Sequence, residues 1–165
     1  MSLSAQATTA ANGSPTVVVG TFDSRAVLFA YVGSDEFNDY LSAQKADVGR
    51  VLERARAAGD KALVVKLDAL GPTMQKWIHE QGFGTAPVDH IIAKIEDELP
   101  GIAKQAGVDV IVSKWTLTYR SPTAKFVDVT DLLVAEFDPS EETLQGIREI
   151  VAQEPVPLDQ LTEDH

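Results

Sequence analysis

A long helical region separates the first strand of this chain from the other two, and this order limits the folds open to it. Residues 16–22 are β-branched and aromatic, as in a buried strand. Apolar and polar residues alternate with period two only later, at 108–115 and 124–130. The sequence therefore predicts an α+β fold, with a small three-stranded sheet and flanking helices.

Residues 34–58 and 61–81 carry two helical seams that are predicted to form an antiparallel hairpin. The second seam is one residue out of phase with the first, and Gly59 favours a helix end, so the chain should turn there. Pro72 interrupts the second seam without changing its phase, which predicts a kink at Gly71-Pro72. Arms of about 25 and 21 residues would reach roughly 35 Å. The seams comprise Phe37, Leu41, Val48, Val51 and Ala55, then Leu63, Leu67, Leu70, Met74 and Trp77.

Loop and cap signals divide the rest of the chain. The segment QGFGTAP at 81–87 has the composition of a loop, and a third helix is expected from Val88 to Gly107, bent at Pro100-Gly101. Two short helices should follow the last strand. Thr130 or Asp131 is predicted to cap the first, and the second should open with Pro139 as its first helical residue.

The length of 165 residues suits one well-buried core. We therefore expect a single domain over residues 16–153, with the hairpin, about 34–82, inserted in it. Residues 1–15 are small and polar, and 154–165 are rich in acid and proline. Both ends are predicted to be disordered.

Charge and composition exclude several classes of partner. Fourteen basic against 25 acidic residues give a net charge of −11, which repels nucleic acid and anionic lipid. The chain has no cysteine, so it has neither disulfides nor thiolate metal sites. No apolar run approaches the length of a membrane span.

The N-terminal residues leave the compartment open between two interpretations. They lack the basic and apolar regions of an intact export signal, but Ala5-Gln6-Ala7 has the form of a signal cleavage site. The first interpretation is an exported protein whose signal has been removed. The second is a plain flexible tail, which leaves a cytoplasmic location open.

Residues that could carry chemistry are few and do not form a recognised catalytic pattern. No glycine loop has phosphate-binding spacing, and we assign no catalytic, cofactor-binding or metal-binding residue. His79-Glu80 and Asp89-His90 flank the QGFGTAP loop. The alternative to a non-enzymatic protein is therefore a small-ligand-binding or metal-dependent enzyme that uses the His79–His90 region.

The triplet Asp23-Ser24-Arg25 and three large aromatics are the other notable side chains. Asp23 or Ser24 is predicted to cap a helical turn at the exit of the first strand. Trp77 lies on the hairpin seam and is expected in the core, and it is also a candidate, with Trp115 and Tyr119, for a partner or ligand surface. Trp115 and Tyr119 could form an aromatic rim that binds a ligand or a partner, or they could pack in the core or against another subunit.

Order and local sequence together resemble the Skp (OmpH-like) group of periplasmic proteins over about residues 16–137. The resemblance rests on V-x-x-x-D-S-R-x-V at the first strand exit, then A-G-V-D-V-I-V-S-K-W, Y-R-S-P and V-D-V-T-D-L-L-V. Its strongest parts are residues 107–114 and 126–134.

This resemblance implies a shortened version of the architecture of that family. The sheet and its helices would form a body that trimerises, and the helical hairpin would project from it. The protein would be exported and non-enzymatic, a chaperone-like or scaffolding module for unfolded or envelope proteins. Residues matching Asp23-Ser24-Arg25 lie in that family at the joint between the first strand and a helix.

Overall fold

The computed structural model describes residues 16–161 and confirms an α+β fold with a small sheet. All three strands are parallel, and the first strand lies in the centre, in the order β2-β1-β3. The predicted tail at 1–15 lies outside the described residues. The strands are β1 (Val18–Phe22), β2 (Val110–Ser113) and β3 (Lys125–Asp128).

Gly20 lets the central strand fit closely against its neighbour. It pairs with Ile111 on one side and Val127 on the other. A Cβ at Gly20 would lie 3.1 Å from a methyl of Val108 and 3.2 Å from the carbonyl oxygen of Val110. The bare backbone therefore leaves room for the side chains of Val108 and Ile111.

Helix α1 (Ser24–Val32) is the centre of the body. Apolar side chains lie on every side of this helix, which is typical of a helix surrounded by other elements. It packs against α4 (Leu70–Gly82), α7 (Thr130–Ala135) and α8 (Glu141–Val151). Ala26, Val27 and Ala30 are inaccessible to solvent.

Helix α8 starts later than the sequence suggested. Ser140 is its N-cap, and the Ser140 hydroxyl accepts a hydrogen bond from the Thr143 amide at 3.1 Å. Pro139 therefore precedes the cap instead of occupying the first helical position, because a serine oxygen can satisfy a free amide of the first turn and proline has no such group.

The hairpin turn is confirmed at the predicted residue. Helix α2 (Asp35–Ala58) is capped by Ser34 and ends at Gly59, whose φ of +70° is the left-handed conformation that favours glycine. Asp60 caps the next helix, α3 (Lys61–Asp68), which packs back on α2.

The second arm breaks before the predicted kink. A new helix, α4 (Leu70–Gly82), begins after Ala69 and packs mainly on α1. Pro72 consequently lies in the first turn of α4, where its missing N–H has no helical partner to lose. The interruption predicted from Pro72 is present, but it lies at Ala69 instead of Gly71-Pro72.

The third predicted helix is also interrupted earlier than expected. It is divided into α5 (Asp89–Ile92), a 3-10 turn (Ala93–Ile95) and α6 (Leu99–Ala106). The break falls at residues 96–98, so Pro100 lies in the first turn of α6 rather than at a bend. Gly107, with φ of +66°, ends the helix as predicted.

The segment after α8 folds back over the molecule, where the sequence analysis expected disorder. The amide of Val156 donates to the carbonyl oxygen of Phe83 at 2.8 Å. A 3-10 turn, Leu158–Gln160, follows. Residues 154–161 thus have a defined path, and 162–165 lie outside the described residues.

Buried apolar residues are concentrated in the body. Ile91, Val129 and Leu133 are inaccessible, and one cluster links β1, α1, α5, α6, α7 and α8. Beyond Phe37 at its base, the only buried apolar side chain in α2 is Ala55, and α3 has none. The hairpin therefore depends on half-buried contacts between its arms.

Candidate functional site

A charged cluster lies at the carboxyl edge of the sheet. Asp23 follows β1, and Lys114 follows β2, so the parallel arrangement brings their side chains to the same edge. Asp23 and Arg25 are 2% and 1% exposed. This edge is also where open α/β sheets bind ligands, which makes the cluster the first candidate for a site.

The Asp23 carboxylate accepts hydrogen bonds from three residues. One oxygen lies 3.0 Å from the Arg25 amide, 3.1 Å from Arg25 Nε and 3.3 Å from the indole Nε1 of Trp115. The other lies 2.8 Å from Arg25 Nη2 and 2.8 Å from Lys114 Nζ. Both oxygens are therefore fully engaged within the protein.

Arg25 connects this cluster to the end of α8. Its Nη1 donates to the carbonyl oxygen of Gln153 at 2.8 Å. The guanidinium also lies 5.2 Å from the ring centroid of Trp115, and Lys114 Nζ lies 4.4 Å from the same ring. Two cations thus lie near the Trp115 ring, and the indole N–H donates to the Asp23 carboxylate.

The third strand end joins the same network. The Asp23 amide donates to the Thr130 hydroxyl at 3.0 Å, and the Thr130 amide donates to Asp128 Oδ1 at 2.8 Å. The sequence predicted Thr130 or Asp131 as the cap of α7. The residue at that position is Val129, with no side-chain cap, because the Thr130 hydroxyl instead serves Asp23.

The electrostatics favour an ionised Asp23. Burial alone raises the pKa of this carboxyl, but the hydrogen bonds from Arg25 and Lys114 outweigh burial and place the pKa below its ordinary value of 3.8. A carboxylate with a lowered pKa and no free acceptor is a poor general base. The cluster consequently joins strands and helices, and Asp23 is the predicted helix cap.

The lowered pKa predicts how stability depends on pH. The ionised form is stabilised by folding, so its contribution is present above the unfolded pKa and is lost as pH falls through the folded pKa. The unfolding free energy of the protein should exceed that of Asp23→Asn at about pH 7, and this difference should shrink toward about pH 2. Urea titrations at several pH values would measure it.

Asp47→Asn is the matched control for this titration. Asp47 pairs with Arg50 on the exposed surface of α2, where its side chain is 61% exposed. An exposed pair contributes little, so the control should follow the wild-type pH profile closely. A difference between wild type and Asp23→Asn that stays constant with pH would contradict the assignment.

Burial of Arg25 was not anticipated from the sequence, although a signal for it was present. The residues after it, AVLFAYV, offer no polar face on which an arginine could be solvated. An arginine in the first turn of so apolar a helix must be buried with it, and the nearest acid in sequence is Asp23. Ser24 is 1% exposed, and its hydroxyl has no hydrogen-bond partner.

The second face of the sheet is mainly apolar and only partly covered by the described residues. Val18, Ile111 and Val127 pack on the core. Because side chains alternate along a strand, their strand neighbours point to the opposite face. There Arg120 lies over the ring of Phe126, and Val19, Val112 and Phe126 are half-buried. That face, called here the open face, comprises Val19, Thr21, Val110, Val112, Phe126 and Asp128.

Two of the three aromatics predicted for a partner or ligand surface are exposed. Tyr119 is 77% exposed and lies in the loop beside the open face, where Arg120 lies 4.2 Å from the ring centroid of Phe126. Trp115 is half-buried in the charged cluster. Trp77 is 58% exposed, so its predicted place in the core is wrong: α4 leaves α2 at Ala69, and the indole stacks on His90.

The two histidines of the alternative site contact different aromatics. His79 packs against Phe83, with ring centroids 5.6 Å apart, and His90 stacks on Trp77 at 5.3 Å. Partial burial lowers the pKa of His90. Within residues 16–161, no three histidine or acidic side chains come together as a metal site.

Beside His79, an open cleft of about 620 Å³ runs along α4. It is bordered by Pro72, Lys76, His79 and Glu80, and also by Leu161 from the C-terminal segment. The cleft is thus formed by one helix and the end of the chain. Of the candidate functional side chains named in the sequence analysis, His79 and Glu80 border the cleft, whereas His90, Trp77, Trp115 and Tyr119 do not.

Comparison with known proteins does not assign the chain to a group. No family model, curated protein or solved structure matches it. Within the part of the chain that the structure describes, every helix is too short or too polar to cross a bilayer. The functional argument therefore rests on the geometry of the open face, the hairpin and the cleft.

Proposed function

We propose that the chain is an exported, non-enzymatic homo-oligomer of the Skp (OmpH-like) kind, which binds unfolded or envelope proteins as a chaperone-like or scaffolding module. The observation that carries this proposal is the open face of the parallel sheet. The exposed apolar surface of the hairpin and the order of the elements support it further.

The open face supports the oligomer. Parallel sheets are almost always covered on both faces, but among residues 16–161 the core packs on only one. Val110 is 44% exposed, and Val19, Val112 and Phe126 are half-exposed. A neighbouring copy of the chain is the simplest cover, because most soluble oligomers are symmetric assemblies of identical chains. We propose a trimer, following the resemblance.

The hairpin supports the binding role. Several of the most exposed large apolar side chains of the described residues lie on α2, α3 and α4. Apolar side chains that remain accessible on α2, α3 and α4 are suited to transient contact with the apolar segments of another protein. They are Tyr40, Val51, Val65, Leu70 and Trp77.

The element order adds to the argument. β1, α1 and the helical hairpin come first, and α4, α5 and α6 precede the other two strands and the closing helices. This order supports the proposal, since the resemblance implies a helical excursion between the first strand and the other two. The central position of β1 also places Asp23 at the joint between strand and helix. Both features concern architecture, and the proposed activity is inferred from exposed surface.

Light scattering tests the oligomer directly. The full-length protein at high micromolar concentration should have a mass close to that of a trimer. Val112→Asp buries a charge in the proposed interface and should yield a monomer. Val65→Asp, at a 69% exposed position on α3, is the matched control and should leave the mass unchanged. A monomeric wild-type protein would remove the oligomer from the proposal.

A client assay tests the binding role separately. The full-length protein should reduce the aggregation of a chemically unfolded outer-membrane protein when that client is diluted from denaturant. Trp77→Ser with Leu70→Ser should weaken this effect, since both side chains are exposed apolar groups on α4. Unchanged aggregation in the presence of excess wild-type protein would contradict the chaperone-like role.

A further inference from the structure

The C-terminal segment is docked on the molecule as a strap, defined here as residues 154–161. Its start is fixed where Arg25 Nη1 donates to the carbonyl oxygen of Gln153 at 2.8 Å. Two residues into the strap, the Val156 amide donates to the carbonyl oxygen of Phe83 at 2.8 Å. The strap thus crosses the loop between α4 and α5, residues 83–88. The predicted loop QGFGTAP starts two residues too early, because Gln81 and Gly82 still belong to α4.

Two leucines of the strap lie over Gly84 in this loop. A Cβ at Gly84 would lie 2.6 Å from Leu158 Cδ2 and 2.9 Å from Leu161 Cδ1. Both methyl groups therefore touch the glycine backbone, which is buried. The loop and the end of α4 form a shallow groove, and the strap fills part of it with a backbone hydrogen bond and apolar side chains.

The end of the described strap lies beside a cleft along α4. Leu161 borders this cleft of about 620 Å³ together with Pro72, Lys76 and Glu80. The surface next to the strap therefore combines an apolar ring, a cation and a carboxylate.

The strap is held weakly enough to be displaced. Leu158 remains 44% exposed, Val156 and Leu161 are only half-buried, and a single backbone hydrogen bond anchors the strap to the loop. Pro155 and Pro157 favour an extended backbone, so little conformational entropy separates the docked strap from the released one. Release would expose the groove without unfolding the body.

We infer that this groove is a peptide-binding site and that the strap is its intramolecular occupant. The partner is an extended segment of another protein, with apolar side chains spaced as in Val156, Leu158 and Leu161 and proline between the first two. Backbone pairing to Phe83 and apolar contact with Gly84 would hold it as they hold the strap. The inference deepens the proposed binding function and rests on it for the partner.

Binding of the chain's own strap sequence in trans is the test. A fluorescent peptide with the sequence of residues 154–165 is titrated by anisotropy into full-length wild type and into the full-length double variant Leu158→Asp/Leu161→Asp. The double variant should bind it at least about tenfold more tightly, because a tethered strap competes at millimolar effective concentration. Bound peptide should slow amide exchange over residues 79–86.

Matched controls distinguish specific binding in the groove from nonspecific apolar binding. Gln160→Ala changes an exposed strap residue and should behave as wild type. A peptide with aspartate in place of both leucines should not bind the double variant. Val156→Pro, which removes the hydrogen bond to Phe83, provides a second opened protein if the double variant loses its circular dichroism spectrum. Failure of the peptide to bind either opened protein, or equal binding to wild type, would overturn the inference.

The outcomes also distinguish this site from the proposed function. Light scattering on the same variants should give the wild-type mass, since the strap lies away from the open face. An oligomer that binds no peptide would contradict the peptide-binding site but not the proposed oligomer. A monomer that binds the peptide would contradict the proposed oligomer but not the peptide-binding site.

Discussion

Replacing Arg25 with methionine is expected to lower the free energy of unfolding by about 3–5 kcal/mol, because it leaves a buried carboxylate without its main partner. Asp23 would keep its contacts with Lys114, the Trp115 N–H and the backbone amide of residue 25. It would lose the two hydrogen bonds from the guanidinium and the charge of that group. The Gln153 carbonyl would also lose its donor. Urea denaturation followed by circular dichroism measures the change.

Arg148→Met is the matched control for this variant. Arg148 and Glu141 are separated by the same 2.8 Å, but their side chains are 61% and 82% exposed, so the loss should stay below about 1 kcal/mol. The double variant Asp23→Leu/Arg25→Met should lose less than Arg25→Met alone, because no unpaired charge remains. Equal losses of unfolding free energy in Arg25→Met and Arg148→Met would show that burial of the Asp23–Arg25 pair does not affect stability.

Truncating Leu133 to alanine should be the next most damaging change, with a loss of about 2–5 kcal/mol. Leu133 is inaccessible to solvent on α7, in the cluster that joins the sheet to α1. A cavity opened there cannot be filled by movement of a surface side chain. Thermal and urea unfolding would report the loss.

Leu63→Ala is the comparison within the hairpin. Leu63 is only half-buried on α3, so less apolar area is lost and the cost should be about 1 kcal/mol. Amide exchange should also be faster in α3 than in α1, since local opening is easier where few side chains are buried. Equal losses at Leu63 and Leu133 would contradict the division into a packed body and a weakly packed hairpin.

The sequence was sufficient to predict the helix ends and strands that are determined by neighbouring residues. Ser34 and Gly59 mark the ends of α2 through a side-chain oxygen and a left-handed backbone, and both are readable from the sequence. Asp23 as a cap follows the same logic. The α+β class was predictable because the change from helical to alternating periodicity depends only on neighbouring residues.

Features set by distant contacts were not predictable in the same way. The break at Ala69 arises because α4 packs on α1 while α3 packs on α2, and neither contact is encoded near the break. Trp77 is exposed for the same reason. The strap was expected to be disordered, since acid and proline dominate its composition and its contacts with Phe83 and Gly84 come from elsewhere in the chain.

The central position of β1 has a consequence for synthesis on the ribosome. The first strand made is the one that both other strands must join, and 91 residues separate Val18 from its contact Asp109, while 107 separate Asp23 from Thr130. Pairing over such distances is slow, and an unpaired apolar strand is prone to aggregation. The α2–α3 hairpin can form locally as it emerges, but the VVVGTF segment must wait until residues 110–113 and 125–128 have been made. A nascent chain stalled before residue 110 has no native strand partner for β1.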